Sequence, residues 1–152
     1  MNPRGTEGAE GAEGAEGGRK GAEGSEGDAR DITHAVIGAA IEVHRVLGPG
    51  LFESIYEEAL AIELALRSVP FRRQVSVDVE YKGRSVGQAR LDMIVADSLV
   101  VELKAVEHLA PIHTAQVISY LRATGLRHGL LITFNVPALR LGIKRVIHTY
   151  DP

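Results

Sequence analysis

From Ile32 through Ala35, Val36, Ala39, Ala40 and Val43 to Leu47, apolar residues recur at helical spacing, and Gly48-Pro49-Gly50 ends the run. Asp31, just ahead of it, is the expected N-cap. A second helix is predicted from about Phe52 to Arg67, with Ile55, Ala59, Ile62 and Leu66 on one stripe. The period then switches to two. Gln74-Val75-Ser76-Val77-Asp78-Val79-Glu80-Tyr81 alternates strictly, and Lys82-Gly83 is a hairpin signal. A second strand is predicted from about Ser85 to Val95, a turn at Asp97-Ser98, and a third strand from Leu99 to Ala105. Ile112 to Ala123 is helical and stops at Gly125; Gly129 to Phe134 is a short apolar strand, and Ile143 to Thr149 a last one. Tight turns make the first three strands antiparallel, and the helix after them permits a parallel crossover. The pattern predicts an α/β fold with a mixed sheet.

The first 30 residues follow a different rule. They repeat Gly-Ala-Glu (Gly8-Ala9-Glu10, Gly11-Ala12-Glu13, Gly14-Ala15-Glu16) and hold almost nothing apolar larger than Ala. Such a segment cannot bury enough surface to offset its chain entropy, so residues 1–30 are expected to be a disordered acidic tail and residues 31–152 the domain. The tail carries acids that a transit peptide avoids and lacks the apolar core of a secretory signal. It holds seven acids against four bases, which accounts for the whole net charge of −3 and leaves 13 of each in the rest. A neutral domain must hold any polyanion through local clusters, and three are available: Arg67, Arg72 and Arg73; Arg84 and Arg90; Arg140, Lys144 and Arg145. Each would serve equally as ordinary solvated surface. There is no cysteine, which excludes disulfides, thiolate nucleophiles and Cys-ligated metals. No stretch is long and apolar enough to span a bilayer, so a soluble, cytoplasmic protein is expected.

Candidate chemistry concentrates on the second and third strands. Leu91-Asp92-Met93-Ile94-Val95 puts one acid in an apolar run, and Val100-Val101-Glu102-Leu103-Lys104-Ala105 puts two opposite charges two residues apart in another. Residues i and i+2 of a strand share a face, so Glu102 and Lys104 point the same way. Two readings fit: a solvated strand face, or ionised groups that are paired or hold a metal, because unpaired burial is costly. On the following helix Gln116 and Tyr120 are four apart and share a face. No His-Glu-x-x-His motif occurs, and Gly48-Pro49-Gly50 lies between helices without the Gly-Lys-Ser/Thr of a phosphate loop.

Taken in order, these residues resemble the PD-(D/E)XK nuclease superfamily. The predicted αβββαβ core carries Asp92 on its second strand and Glu102-x-Lys104 on its third, and it is preceded by an additional N-terminal helix. Gly50-Leu51-Phe52-Glu53-Ser54-Ile55-Tyr56 is similar to the Gly-x-x-Glu-x-x-Tyr signature of the small bacterial GxxExxY proteins within that superfamily. The likeness continues through His113-x-x-Gln116-x-x-x-Tyr120-Leu121, Leu130-Leu131-Ile132-Thr133-Phe134-Asn135 and Gly142-Ile143-Lys144-Arg145. Thr133 departs from the Asn expected there, at a point expected to lie away from the metal ligands.

The resemblance implies a metal-dependent nuclease that hydrolyses phosphodiester bonds in DNA or RNA. It implies Asp92, Glu102 and Glu53 as ligands of Mg2+ or Mn2+, converging at one edge of the sheet, with Lys104 beside the ion. Gln116 and Tyr120 resemble the Gln-x-x-x-Tyr motif of RecB-like nucleases, which sits next to the metal. A catalytically silent nuclease fold, binding nucleic acid or protein, is the alternative. Plainer roles stay open too. Glu53 suits a helix N-terminus, Tyr56 and Tyr120 suit the core, and His113 either reaches the site or is exposed. Because two DNA strands need two sites, a homodimer is expected.

Overall fold

Helix α1 spans Ala22–Leu47 in the computed structural model, which describes residues 22–150. Asp31 therefore lies inside a helix and is not its cap. The helix also takes in the last nine residues of the expected tail, Ala22 to Arg30, and residues 1–21 lie outside the described residues. Ala29 is buried, and its carbonyl accepts the Thr33 hydroxyl at 2.7 Å within the helix, ahead of the apolar run. Val36, Ala39, Ala40 and Val43 face the core. At the far end Gly48, at φ +69°, stops the helix and returns its N–H to the His44 carbonyl.

Helix α2 (Glu53–Leu66) corrects the predicted stripe. Tyr56, Glu57, Leu60, Ala61 and Leu64 are buried, whereas Ile55, Ile62 and Leu66 are 42%, 57% and 75% exposed. The helix is apolar on two faces, so periodicity leaves its rotation open. Side-chain anchors choose the face. The Tyr56 ring lies parallel to Phe134 at 4.5 Å, and the Glu57 carboxylate takes hydrogen bonds from Arg73 and Gln74.

The strands are β1 (Phe71–Tyr81), β2 (Arg84–Val95), β3 (Leu99–Lys104), β4 (His128–Thr133) and β5 (Ile143–Ile147). Helix α3 (Pro111–Thr124) connects β3 to β4, and a 3-10 turn (Leu139–Gly142) leads into β5. One five-stranded sheet runs β1-β2-β3-β4-β5, with β3 and β4 parallel and the other neighbours antiparallel. The mixed α/β sheet expected from the pattern is the one observed. Helices α1 and α2 cover one face, over Met93, Val95, Val101, Leu103, Leu130 and Ile132. Helix α3 covers the other, where Val117 and Leu121 meet Leu91, Ile94, Val100 and Leu131. No described helix is long and apolar enough to cross a membrane.

The sheet is irregular at one point that matters. Pairing of β1 with β2 skips from Arg73↔Met93 to Val75↔Leu91, leaving Gln74 and Asp92 without a register partner. Gln74 sits at φ +48°, a conformation that bends a strand locally. On the other side, pairing of β2 with β3 ends at Met93↔Val101. Asp92 thus occupies the point where pairing with β1 is interrupted for one residue and pairing with β3 has ended.

Candidate active site

Side chains complete the ladder where the backbone stops. The Asp92 carboxylate accepts the Leu103 N–H at 2.8 Å, and the Asp92 N–H donates to Glu102 Oε1 at 3.3 Å. Two buried strands thereby satisfy their donors with carboxylates, which fixes both acids at the fork. Lys104 Nζ stands 3.5 Å from Glu102 Oε2, and both side chains are largely shielded, 15% and 7% exposed. Of the two readings of Glu102 and Lys104, the solvated strand face is therefore excluded. This is an ion pair under α3.

Burial and the neighbouring Asp92 charge push the Glu102 carboxyl up to about 7, against the opposing pull of Lys104. Glu53, the first residue of α2, is exposed overall but partly desolvated. That desolvation raises its carboxyl above the usual range, the Asp92 charge adds to the rise, and Lys104 opposes it. Tyr120 responds to the same cluster, its phenol raised by burial and then by Glu102 and Asp92. Helices α2 and α3 lie on opposite faces of the sheet, yet residues from both feel the same charges. The separation of β2 from β3 accounts for that. The meeting point lies between central strands and not at a sheet edge, which corrects the expected location.

Gln116, one turn before Tyr120, carries a buried side-chain oxygen with no hydrogen-bond partner. An orphaned acceptor is costly and calls for a donor or a cation. The carboxylates tell the same story, since burial and the Asp92 charge raise the proton affinity of both Glu102 and Glu53. Hard oxygen donors of this kind suit Mg2+ or Mn2+. Among the described residues, however, no group of three or more His, Asp or Glu side chains is arranged to hold an ion. The donor chemistry fits a divalent cation, and part of each strand carboxylate is engaged by the protein.

A family model described as the PD-(D/E)XK nuclease superfamily matches residues 30–146. The chain belongs to that superfamily. The superfamily fold has a solved counterpart in the crystal structure of SSO0001, at 20% identity and a TM-score of 0.50, over 64% of this chain. The chain spans half the length of that protein's chain. No curated protein matches.

Other candidate residues have more local duties. Tyr56 is fully buried; its hydroxyl donates to the Gly48 carbonyl and accepts the Leu51 N–H at 3.1 Å, stapling the loop ahead of Glu53. His113 neither reaches the acids nor stands free. Its Nδ1 accepts the Ala110 N–H at 3.0 Å and closes the start of α3. Thr133 was expected away from the ligands, but it is the register partner of Lys104. Its buried hydroxyl donates to the Val106 carbonyl and accepts the Val106 N–H, fixing the chain just beyond Lys104. The first basic cluster is spent on ion pairs: Arg67 with Glu63, Arg72 with Asp97, and Arg73 with Glu57 and Glu58.

Sequence reasoning missed Glu57 and Gln74. Glu57 Oε1 accepts the Gln74 amide at 2.7 Å, and Arg73 Nε reaches Oε2 at 3.1 Å, which clamps the β1 irregularity opposite Asp92. The available signal was slight, an acid beside Tyr56 in a helix that carries Glu53, Glu58 and Glu63 as well.

Proposed function

We propose that this chain is a metal-dependent nuclease of the GxxExxY type, hydrolysing phosphodiester bonds in DNA or RNA. The observation that carries the reading is the carboxyl of Glu102, buried at the fork beside Asp92 and pushed up to about 7. Buried like charges with raised proton affinity are costly to a fold and cluster where chemistry is done. The signature residues support the subfamily reading. Gly50 turns the chain at φ +105°, Glu53 faces the acids, and Tyr56 staples the loop that presents it.

In this reading Asp92, Glu102 and Glu53 hold Mg2+ or Mn2+. The bound ion supplies charge to lower the pKa of water and to offset the negative charge that builds on phosphate. Lys104 stands beside the acids as a cation able to orient the attacking water or to stabilise the phosphate oxygens. Gln116, one turn before Tyr120 on α3, carries an acceptor oxygen without a partner, and Tyr120 presents a protonated phenol at neutral pH. The protein acts as a homodimer, so that each strand of a duplex meets one site.

A second reading, a silent nuclease fold that binds nucleic acid or protein, draws on the engagement of Glu102 by Lys104 and the Asp92 N–H. Incubating the full chain with linear, nicked and branched DNA and with RNA, in Mg2+, Mn2+ or chelator, separates the two. Strand breaks that require the ion and vanish in Lys104→Ala are expected. Binding without breaks under every condition would select the silent fold.

A further inference from the structure

We infer that Phe52, the residue immediately ahead of Glu53, is a stacking platform for an unpaired nucleobase, so that the substrate presents a single-stranded or splayed nucleotide beside the scissile phosphate. The inference deepens the nuclease reading and rests on it.

Phe52 is 78% exposed, the most exposed large apolar side chain among the described residues, and Leu51 beside it is 37% exposed. Aromatic exposure of this size is unremarkable on a loose loop, but this loop is fastened. The Tyr56 hydroxyl bridges the Gly48 carbonyl and the Leu51 N–H, and the Tyr56 ring is itself fully buried against Phe134. Phe52 is thus held out in solvent on a rigid mount, and the next residue is Glu53, the first of α2, which packs against β3, the strand that carries Glu102 and Lys104. On α3, Ile112 is 64% exposed and precedes Gln116 by four residues, on the same helical face as Gln116 and Tyr120. Each helix that feeds the acidic cluster therefore begins with an exposed apolar side chain.

Charge points the same way. Residues 31–152 are neutral and the first basic cluster is engaged in ion pairs, so phosphate contacts fall to the two remaining clusters, five basic residues in all. Stacking on an aromatic ring needs no counter-charge and tolerates any base. A base inside a duplex already stacks on its neighbours and has no free face, so the platform selects unpaired nucleotides. The chemistry is common to DNA and RNA.

The test is binding by the full chain in chelator, where no hydrolysis occurs, using short oligo(dT), short oligo(rU) and a relaxed, closed circular DNA duplex, which has no terminal base pair to stack. Phe52→Ala is expected to weaken binding to the unpaired oligonucleotides about tenfold and to leave the duplex unchanged. Phe52→Trp should keep the affinity, with indole emission that falls as oligonucleotide is added. Phe52→Leu, which keeps apolar bulk without a π face, should behave like Phe52→Ala and guards against an effect of bulk alone. The oligonucleotide whose binding depends on Phe52 identifies the sugar, and dependence in both means that either is accepted. Equal loss on duplex and single strand, or Trp emission indifferent to bound oligonucleotide, would overturn the platform. So would emission that changes on diluting the protein alone, since Phe52 would then be covered by a second copy. Parent protein that breaks strands without dependence on Phe52 would remove the platform and leave the nuclease. Phe52-dependent binding without strand breaks in Mg2+ would remove the nuclease and leave the platform.

Discussion

Glu102 is where residue-level physics and function conflict most directly. Its carboxyl sits at about 7 in the fold against an ordinary 4.5, so the folded state holds a proton that the unfolded chain releases. The sign follows: without metal, this group costs the fold nothing below its ordinary pKa. Stability is lost as pH rises between the two values, and the loss is complete above the higher one. Metal-free protein should therefore melt at a lower temperature near about pH 8 than near about pH 5, and Glu102→Gln should remove much of that fall. The variant would be more stable than the parent at the higher pH and equal to it at the lower, as thermal melts in chelator can measure. Parallel profiles for the two proteins would contradict the assignment. Asp92, Glu102 and Lys104 were legible in the sequence because charges inside apolar strands are expensive and stand out. Thr133 was not, because nothing along the chain reveals that its hydroxyl clasps Val106 across the sheet.

Among the elements, α2 does the most work and was the least well read. Its ends and its helical state follow from the pattern, but the apolar residues spread over two faces and the pattern does not fix its rotation. Tyr56 against Phe134 and Glu57 against Arg73 and Gln74 make that choice, and both are long-range contacts. The sheet was legible for the opposite reason, since strict alternation and tight turns specify register and pairing locally. Its irregularity at Gln74 and Asp92 was not, because Gln74 opens a regular run and its positive φ goes with a long-range hydrogen bond to Glu57. Glu57→Ala should strip Gln74 and Arg73 of a shared acceptor and cost about 1–3 kcal/mol in urea unfolding. Arg73 keeps Glu58, which limits the loss. Glu57→Gln, which retains an acceptor for Gln74, should cost less. Equal stability of Glu57→Ala and the parent would remove Glu57 from the clamp.

At the scale of the whole molecule, a neutral domain of a nuclease superfamily has to recruit its substrate with little net charge. A second copy is one remedy, and the unpaired stripe of α2 offers Ile62 and Leu66 to it. Light scattering should give a dimer mass for the parent and a monomer mass for the double variant Ile62→Asp, Leu66→Asp. Both positions are exposed, so the substitutions should spare the fold. A monomeric parent at micromolar concentration would contradict the dimer. Fold class and the order of elements along the chain were readable from the sequence, but the start of α1 was not. The Gly-rich composition before Asp31 suggested a tail, whereas helix runs back to Ala22 and Ala29 within it is buried.

The central claim is that Asp92, Glu102 and Glu53 form one cation site at the fork between β2 and β3. Its most direct test is calorimetric titration of Mn2+ into the metal-free parent, Asp92→Asn, Glu102→Gln and Glu53→Gln at one pH, with melting temperature followed alongside. The parent should bind Mn2+ and melt higher with it, and each variant should lose affinity and most of the shift while remaining folded. Equal Mn2+ affinity and equal melting shifts in the parent and all three variants would contradict the account.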